Sequence, residues 1–370
     1  MPRATTDRVL SLRELNRALL ARQFLLARTD NDVLTAVERL AGLQAQFPPS
    51  PYVALWSRLV RFERAHLTKP LDRMMIVKAS LMRATLHLVS AREYPSYALA
   101  TRDGRMQAWR PPGALTGPAL ERIQRRVFRF ASKTPRTREE INALIADEAP
   151  GGELIRRWVS WAVVAGGALI WEPAGAHFEH RKLARYVAPP AFLRTPPGEP
   201  EAYDLIVRRY LGAFGPASVA DLAGWSGSRV PPLRAAVERR TDLRRFQDEK
   251  GRELFDLAGA PRPDAATEAP VRYLARFDAA ILGHAPPERV RILPEQYRKA
   301  VIHAAEVEPT FLVDGIVAGT WRLSARPREA VLQLRPFGRL SRAVRAALVD
   351  EGERLARFLA SDSRVHGVRA

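Results

Sequence analysis

Two glutamines separated by one residue, Gln44 and Gln46, are the side chains whose types and spacing best suit chemistry. They follow an apolar stretch, residues 33–43, that predicts a helix, and Pro48 and Pro49 prevent that helix from continuing. Alternate residues in non-helical backbone point the same way, so both amides can face one cleft. A carboxamide carries donors and an acceptor and stays neutral at every pH. The pair can therefore orient a water and offer a carbonyl oxygen to positive charge, but it is a weak base.

This weakness limits the bonds that the pair can help to break. An N7-alkylated guanine already carries positive charge and departs readily. Hydrolysis of its N-glycosidic bond therefore needs positioning and electrostatic stabilisation more than a strong base. Gln44 and Gln46 suit that reaction. Glutamines at a helix end are more often simply solvated, however, and the short pattern alone does not decide between the two interpretations.

A second group of candidates lies in an alternating run, residues 82–89, that is typical of a strand. Arg83, Thr85 and His87 would share one face of that strand. There they would either line a catalytic cleft, bind phosphate or form a structural hydrogen-bonded cluster.

A third candidate is the pair Asp314-Gly315, which stands between two apolar runs and indicates a β-hairpin. The tip of such a hairpin either probes a DNA duplex or is a simple turn. We favour the turn, because most hairpin tips have no other role.

Several other chemistries are excluded or disfavoured by the residue types. The chain has no cysteine, which excludes disulfides, thiolate nucleophiles and cysteine-ligated metals. His177 and His180 are three residues apart, but no third ligand is obvious and their surroundings indicate a wing rather than a metal site. Lys78 is not placed for Schiff-base chemistry, so we expect no lyase activity. We therefore expect neither a metal nor a cofactor.

The charge balance indicates a polyanionic partner. The formal net charge is +19, from 59 Lys and Arg against 40 Asp and Glu. Such a field attracts nucleic acid, although codon bias toward arginine is an alternative source of the surplus. No segment concentrates the charge on an amphipathic helix, and no apolar run is long enough to span a membrane. We expect a cytoplasmic monomer that binds double-stranded DNA and no membrane.

The order of elements predicts four parts. Three groups, each with helical stretches followed by strand-like segments, are predicted as winged-helix units over residues 8–112, 117–200 and 201–260. The last part, residues 265–360, consists of short β-branched segments and a final amphipathic helix. The predicted class is α+β.

Longer stretches of the sequence resemble the AlkZ-like winged-helix DNA glycosylases, which are related to an azinomycin-resistance enzyme. The run around the two glutamines, 39–46, is similar to the Gln-x-Gln motif of that family. The other matching stretches are residues 81–89, 210–217, 221–227, 276–278, 282–284 and 311–322. The resemblance therefore spans nearly the whole chain.

The resemblance implies three tandem winged helices in a C-shaped arrangement, with a C-terminal β-barrel-like domain. It implies a monofunctional glycosylase that removes bulky N7 adducts from purines and can unhook interstrand crosslinks, with Gln44 and Gln46 as the catalytic pair. A noncatalytic winged-helix transcriptional regulator remains the alternative, because winged helices more often regulate than cut. An RNA-binding module is a weaker third hypothesis.

Overall fold

The computed structural model describes residues 8–148, 151–166, 169–179 and 184–369. Helices and small sheets alternate along the chain, which confirms the predicted α+β class. Within the described residues, no helix has both the length and the apolar character needed to cross a bilayer.

The N-terminal part contains a three-stranded sheet packed among helices. Its elements are β1 (Val9–Leu10), α1 (Leu12–Arg22), α2 (Val33–Arg39), β2 (Leu43–Gln44), α3 (Ser50–Arg58), α4 (Arg64–Asp72), β3 (Ile76–Ser80), β4 (Leu86–Ser90), α5 (Tyr94–Ala100) and α6 (Arg102–Gln107). A capping box formed by Ser11 and Glu14 begins α1, and the Asp32 side chain caps α2. In the sheet, β4 lies between β2 and β3 and is antiparallel to both.

The middle of the chain holds two further groups of helices and short strands. The first comprises α7 (Gly117–Ala131), β5 (Arg136–Thr137), α8 (Arg138–Ile145), α9 (Glu153–Ala165), β6 (Ile170–Trp171) and β7 (Arg185–Val187). The second comprises α10 (Glu199–Phe214), α11 (Val219–Ser226), α12 (Val230–Arg239), β8 (Leu243–Asp248) and β9 (Glu253–Leu257). In the second group Ala217 bridges to Phe255 of β9, and β1 pairs in parallel with β8.

One order of elements occurs three times. A helix, a short extended segment, two helices and two strands follow one another in α2–β4, in α7–β7 and in α10–β9. In each case the short segment pairs with the last strand, which also pairs with the strand before it. The residues between the short segment and the next helix therefore occupy equivalent positions in the three units. Gln46 lies at this position in the first unit.

The C-terminal part is built on a five-stranded sheet. Its elements are β10 (Arg272–Leu274), α13 (Ala279–Leu282), α14 (Arg298–Val301), β11 (Ile302–His303), β12 (Glu306–Val307), β13 (Thr310–Val313), β14 (Ile316–Ala325), β15 (Glu329–Pro336), α15 (Arg342–Leu359) and β16 (Val365–Arg369). The large sheet has the order β10, β13, β14, β15, β16, and β11 forms a separate two-stranded pair with β12. The predicted hairpin is confirmed, since Asp314 and Gly315 join β13 to β14 with φ angles of 46° and 77°.

The expectation of a barrel-like domain is wrong for the described residues, because this sheet stays open. Strands β10 and β16 form its two edges, and β16 pairs in parallel with β15 instead of returning to β10. Helix α15 packs across one face, where Leu348 and Leu355 are fully buried and the Tyr273 hydroxyl donates to the Leu348 carbonyl at 2.8 Å. Because the helix buries the apolar face of the sheet, the sheet does not need to close into a barrel.

Two buried ion pairs fix the N-terminal part against the rest of the chain. Arg22 donates two hydrogen bonds to Asp256, at 2.6 and 2.8 Å, and both side chains are fully buried. Arg58 of α3 binds Asp278 in the same two-pronged way, at 2.9 and 2.7 Å. Removing one member of such a pair typically costs roughly 3–5 kcal/mol, because the other charge is left buried and unpaired. These pairs connect the N-terminal part to both the third unit and the C-terminal part.

Candidate active site

The two glutamines lie on and just after an edge strand, because the preceding helix ends earlier than the apolar pattern predicted. Helix α2 stops at Arg39, and Ala41 and Gly42 adopt left-handed backbone with φ angles of 59° and 84°. A Cβ atom on Gly42 would lie 3.0 Å from the Leu88 carbonyl oxygen, so glycine allows this close approach to β4. The chain then enters β2 in an extended conformation.

The two glutamine side chains differ in their exposure. Gln44 lies opposite His87 in the pairing with β4 and is only 8% exposed. Gln46 follows the strand and is exposed, and its Oε1 accepts a hydrogen bond from the Leu86 amide at 3.3 Å. The amide of Ala45 donates to the Leu86 carbonyl at 2.7 Å and fixes the backbone between them. Gln46 is therefore open to a ligand, whereas Gln44 is mostly enclosed.

Arg83 orients the Gln44 amide. Its Nη2 donates to Gln44 Oε1 at 2.9 Å, and its Nη1 donates to the Trp225 carbonyl of α11 at 2.8 Å. Burial lowers the pKa of Arg83 to about 10, with a further lowering from Arg289. Because the guanidinium still carries its charge at neutral pH, it makes two charge-assisted hydrogen bonds. The contact to Trp225 joins the first unit to the third.

Arg83 does not share a strand face with Thr85 and His87, which corrects the sequence prediction. Met82–Ala84 is a 3₁₀ turn, and Arg83 and Ala84 both have left-handed backbone, with φ angles of 53° and 60°. Strand β4 begins only at Leu86. The turn is packed tightly, since a Cβ atom on Gly227 would lie 3.0 Å from the Arg83 amide nitrogen. This packing against the third unit holds the left-handed backbone in place.

Thr85 and His87 make hydrogen bonds to nearby backbone carbonyl oxygens. The Thr85 hydroxyl donates to the Met82 carbonyl at 3.0 Å, and Nδ1 of His87 lies 3.0 Å from the Thr85 carbonyl oxygen. A proton on Nδ1 satisfies that contact. Burial lowers the pKa of His87 to about 3, and the charge of Arg83 lowers it further. The ring is therefore neutral at physiological pH and is not a general acid there.

The pH dependence of stability should report the neutral His87. Its pKa is about 3 in the folded chain and near 6.5 in the unfolded chain, so the unfolded state binds more protons between these values. The stabilisation is complete above about pH 6.5 and is lost as the pH falls toward 3. We expect His87 to contribute a slope of up to about 1.4 kcal/mol per pH unit to the free energy of unfolding in this window.

Urea denaturation at several pH values between about 7 and 4.5 measures this slope. The variant His87→Gln should have a flatter dependence than the wild type, and the same change at the exposed His66 serves as the control. An unchanged slope in His87→Gln would show that the ring is not held neutral.

The hairpin tip formed by Asp314 and Gly315 contacts helix α1 and lies apart from the glutamine pair. Arg13 binds the Asp314 carboxylate at 2.9 Å, and the fully buried Arg17 binds its other oxygen. Asn16 donates to the Gly315 carbonyl at 2.9 Å. These contacts support the interpretation of the tip as a structural turn. That the tip contacts DNA stays a prediction.

A cavity of about 560 Å³ opens at Phe47, the residue after Gln46, and was not predicted from the sequence. It lies between α3 and the C-terminal part and is lined by Phe47, Phe178, Trp321 and Arg276, among others. Phe47 directly follows Gln46 and is 39% exposed, and the Arg276 guanidinium lies 5.4 Å from the centre of its ring. An apolar residue next to two polar candidates was the only sequence signal for this cavity.

The other residues considered from the sequence have structural contacts. Lys78 is buried, donates to the Gly175 carbonyl at 3.0 Å and lies 4.0 Å from the centre of the Trp171 ring, and burial lowers its pKa to about 8. His177 binds Asp72 at 2.8 Å, and His180 lies outside the described residues. No group of three or more potential metal ligands occurs in the described part of the chain.

Comparison with known proteins agrees with the resemblance. Residues 37–358, which include both glutamines, match the family model described as DNA glycosylase AlkZ-like. An interstrand DNA cross-link repair glycosylase of Streptomyces sahachiroi is 28% identical over 352 residues, covering 91% of this chain and 93% of that protein. The solved structure of the Streptomyces sahachiroi DNA glycosylase AlkZ is similar in fold, with a TM-score of 0.77 and 24% identity over 98% of this chain and all of that one. The chain belongs to the AlkZ-like DNA glycosylase family.

Proposed function

We propose that this protein hydrolyses the N-glycosidic bond of N7-alkylated purines in DNA, with Gln44 and Gln46 as its catalytic pair. The observation that carries the proposal is the contrast between the two amides. Gln46 is exposed and accepts a hydrogen bond from the Leu86 amide, while Gln44 is oriented by Arg83. A preorganised neutral pair of this kind suits a substrate whose leaving group is already cationic.

The reaction needs little acid or base catalysis from the protein. The C1′–N9 bond breaks, and its electron pair passes to the positively charged purine, which leaves neutral. A water oriented by Gln46 attacks C1′, and its proton passes to solvent, because a carboxamide is too weak a base to keep it. The amide oxygens stabilise the positive charge that develops on the sugar. Arg83 is a positioning residue, since its Nη atoms are directed at Gln44 and Trp225.

We also propose that the substrates include purines within interstrand crosslinks. The Streptomyces sahachiroi relative is described as a cross-link repair glycosylase. A crosslinked purine remains tied to the opposite strand and cannot rotate freely into a closed pocket. The exposed position of Gln46 supports a site that can approach such a base without full extrusion.

We interpret the recurring order of elements as three tandem winged helices. The support is the shared pairing of the short segment with the last strand in all three units. The proposed boundaries are residues 8–112, 117–200, 201–260 and 265–360. The C-shaped arrangement of the units stays a prediction from the family resemblance.

One assay tests the proposed function. The purified protein is incubated in excess with an end-labelled duplex that contains a single N7-methylguanine, and samples are analysed with and without alkali. We expect strand breaks at the lesion only after alkali, because hydrolysis leaves an abasic site and Lys78 is buried under Trp171 instead of facing a substrate. The absence of alkali-labile sites would exclude the glycosylase and favour a noncatalytic DNA-binding regulator. Breaks without alkali would exclude a monofunctional mechanism.

A further inference from the structure

The outer face of the C-terminal sheet carries a block of polar side chains. Along β14, Trp321 is buried against the core, whereas Thr320 and Arg322, on either side of it in the strand, point to the other face. Along β15, Leu332 and Leu334 are buried, and Gln333 and Arg335 alternate with them. The strand register places Thr320 opposite Arg335 and Arg322 opposite Gln333. Arg322 and Arg335 are therefore diagonal neighbours on one exposed face.

These two arginines differ from most others that the structure describes. Arg276 pairs with Glu306, Arg17 pairs with Asp314, and Arg22 and Arg58 bind buried carboxylates. The side chains of Arg322 and Arg335 make no hydrogen bond and no ion pair with any described residue, and both are exposed. Their charges are available to a partner.

The polar block lines a groove that adjoins the cavity lined by Phe47. Arg322, Gln333 and Arg335 lie along one groove of about 480 Å³, opposite His303 and Glu308. His303 Nε2 lies 3.2 Å from the Glu308 carboxylate. The groove shares Glu308, Trp321 and Arg322 with the cavity that reaches Phe47, the residue after Gln46. The exposed arginines therefore line a groove that adjoins the cavity containing Phe47.

The chemistry of the block suits phosphate. Each guanidinium can bind a phosphate through two parallel hydrogen bonds. Diagonal neighbours on an antiparallel pair are roughly 7–8 Å apart, so the two side chains can bind separate phosphates without competing for one. Exposed amide and hydroxyl groups such as Gln333 and Thr320 are also common partners of the DNA backbone.

We propose that this face of β14 and β15 binds phosphates of the DNA strand that flanks the damaged purine, through Arg322 and Arg335. The inference rests on the proposed function and adds to it the surface that holds the DNA beside the site. Because phosphate contacts carry no sequence information, the surface should bind undamaged duplex equally well.

The test uses lesion-free duplex, so that it does not depend on base release. The double variant Arg322→Gln/Arg335→Gln is compared with Arg342→Gln/Arg345→Gln. The control removes the same charge from exposed, unpaired positions on α15, which covers the opposite face of the same sheet. Fluorescence anisotropy over a range of salt concentrations gives the affinity and its salt dependence. Thermal denaturation verifies that both variants are folded.

We expect the first double variant to bind about tenfold more weakly at low salt. The negative slope of log K against log salt should become shallower by roughly two. The control should retain the wild-type affinity and slope. Equal losses in the two double variants, or wild-type binding by the first, would overturn the proposal. Failure of the wild type to release a base would affect the proposed function only, since this readout is binding.

Discussion

Alanine in place of Gln46 is expected to lower the rate of base release at least a hundredfold while the protein still binds duplex DNA. Gln46 is the exposed member of the pair, and among the described residues its side chain makes only the 3.3 Å hydrogen bond with the Leu86 amide, so truncation should not disturb the fold. Removing one preorganised polar group from an active site typically costs roughly a hundredfold to a thousandfold in rate. Single-turnover release of N7-methylguanine, with anisotropy for binding, measures both effects.

The matched control is Gln296→Ala. Gln296 is also exposed but lies in the 3₁₀ turn Glu295–Tyr297 of the C-terminal part. The Gln296→Ala variant should release the base at the wild-type rate. A Gln46→Ala protein that remained as fast as this control would remove Gln46 from the mechanism.

Gln44 is less suitable for the same test, because its loss has two effects at once. Truncation would take away the amide and also leave one Nη atom of Arg83 without its acceptor. An unsatisfied, partly buried charged group costs stability and can shift the turn that contains it. A lower rate in Gln44→Ala would therefore not separate catalysis from positioning, whereas Gln46→Ala does.

The sequence predicted the start of the helix before the glutamines better than the backbone that follows it. The apolar pattern correctly predicted a helix starting near Val33, since Asp32 is a strong cap. It did not predict the end of that helix at Arg39, because Ala41 adopts left-handed backbone that alanine rarely takes. The tertiary contact of Gly42 with Leu88 stabilises this left-handed backbone, and no local sequence pattern reveals such a contact.

The role of Arg83 shows a second limit of local patterns. Alternation in residues 82–89 is typical of a strand, so the turn at Met82–Ala84 was not expected. The partner of Arg83 on its far side, the Trp225 carbonyl, is 142 residues away in the sequence. A contact at that distance depends on how the first and third units pack, which periodicity does not describe.

Part of the large positive charge lies inside the protein. Arg17, Arg58, Arg105 and Arg291 are among the largest fully buried side chains that the structure describes. Arg105 illustrates their role, because it donates to the Ala165 carbonyl at 2.8 Å and to the Ala98 carbonyl at 2.9 Å. Some of the positively charged side chains therefore stabilise the interior through hydrogen bonds. The net charge therefore does not locate a DNA-binding surface, and the proposal for Arg322 and Arg335 depends instead on their position in the groove beside the cavity.

The second large effect concerns the charge of the leaving group. We expect a cationic N7-alkylpurine to be released at least a thousandfold faster than a neutral purine of similar size. A neutral purine must be protonated as it departs, and general acid catalysis of such a step typically contributes a hundredfold to ten-thousandfold. Neither amide can supply that proton, and burial keeps the pKa of His87 at about 3, too low for the task at neutral pH.

Two duplexes of identical sequence test this claim most directly, one with N7-methylguanine and the other with hypoxanthine at the same position. Free base is measured by chromatography under single-turnover conditions at neutral pH. The mechanism proposed for Gln44 and Gln46 predicts rapid appearance of N7-methylguanine and no detectable hypoxanthine over the same period. Release of hypoxanthine at a comparable rate would contradict it, because the protein would then possess an acid that this pair of amides does not provide.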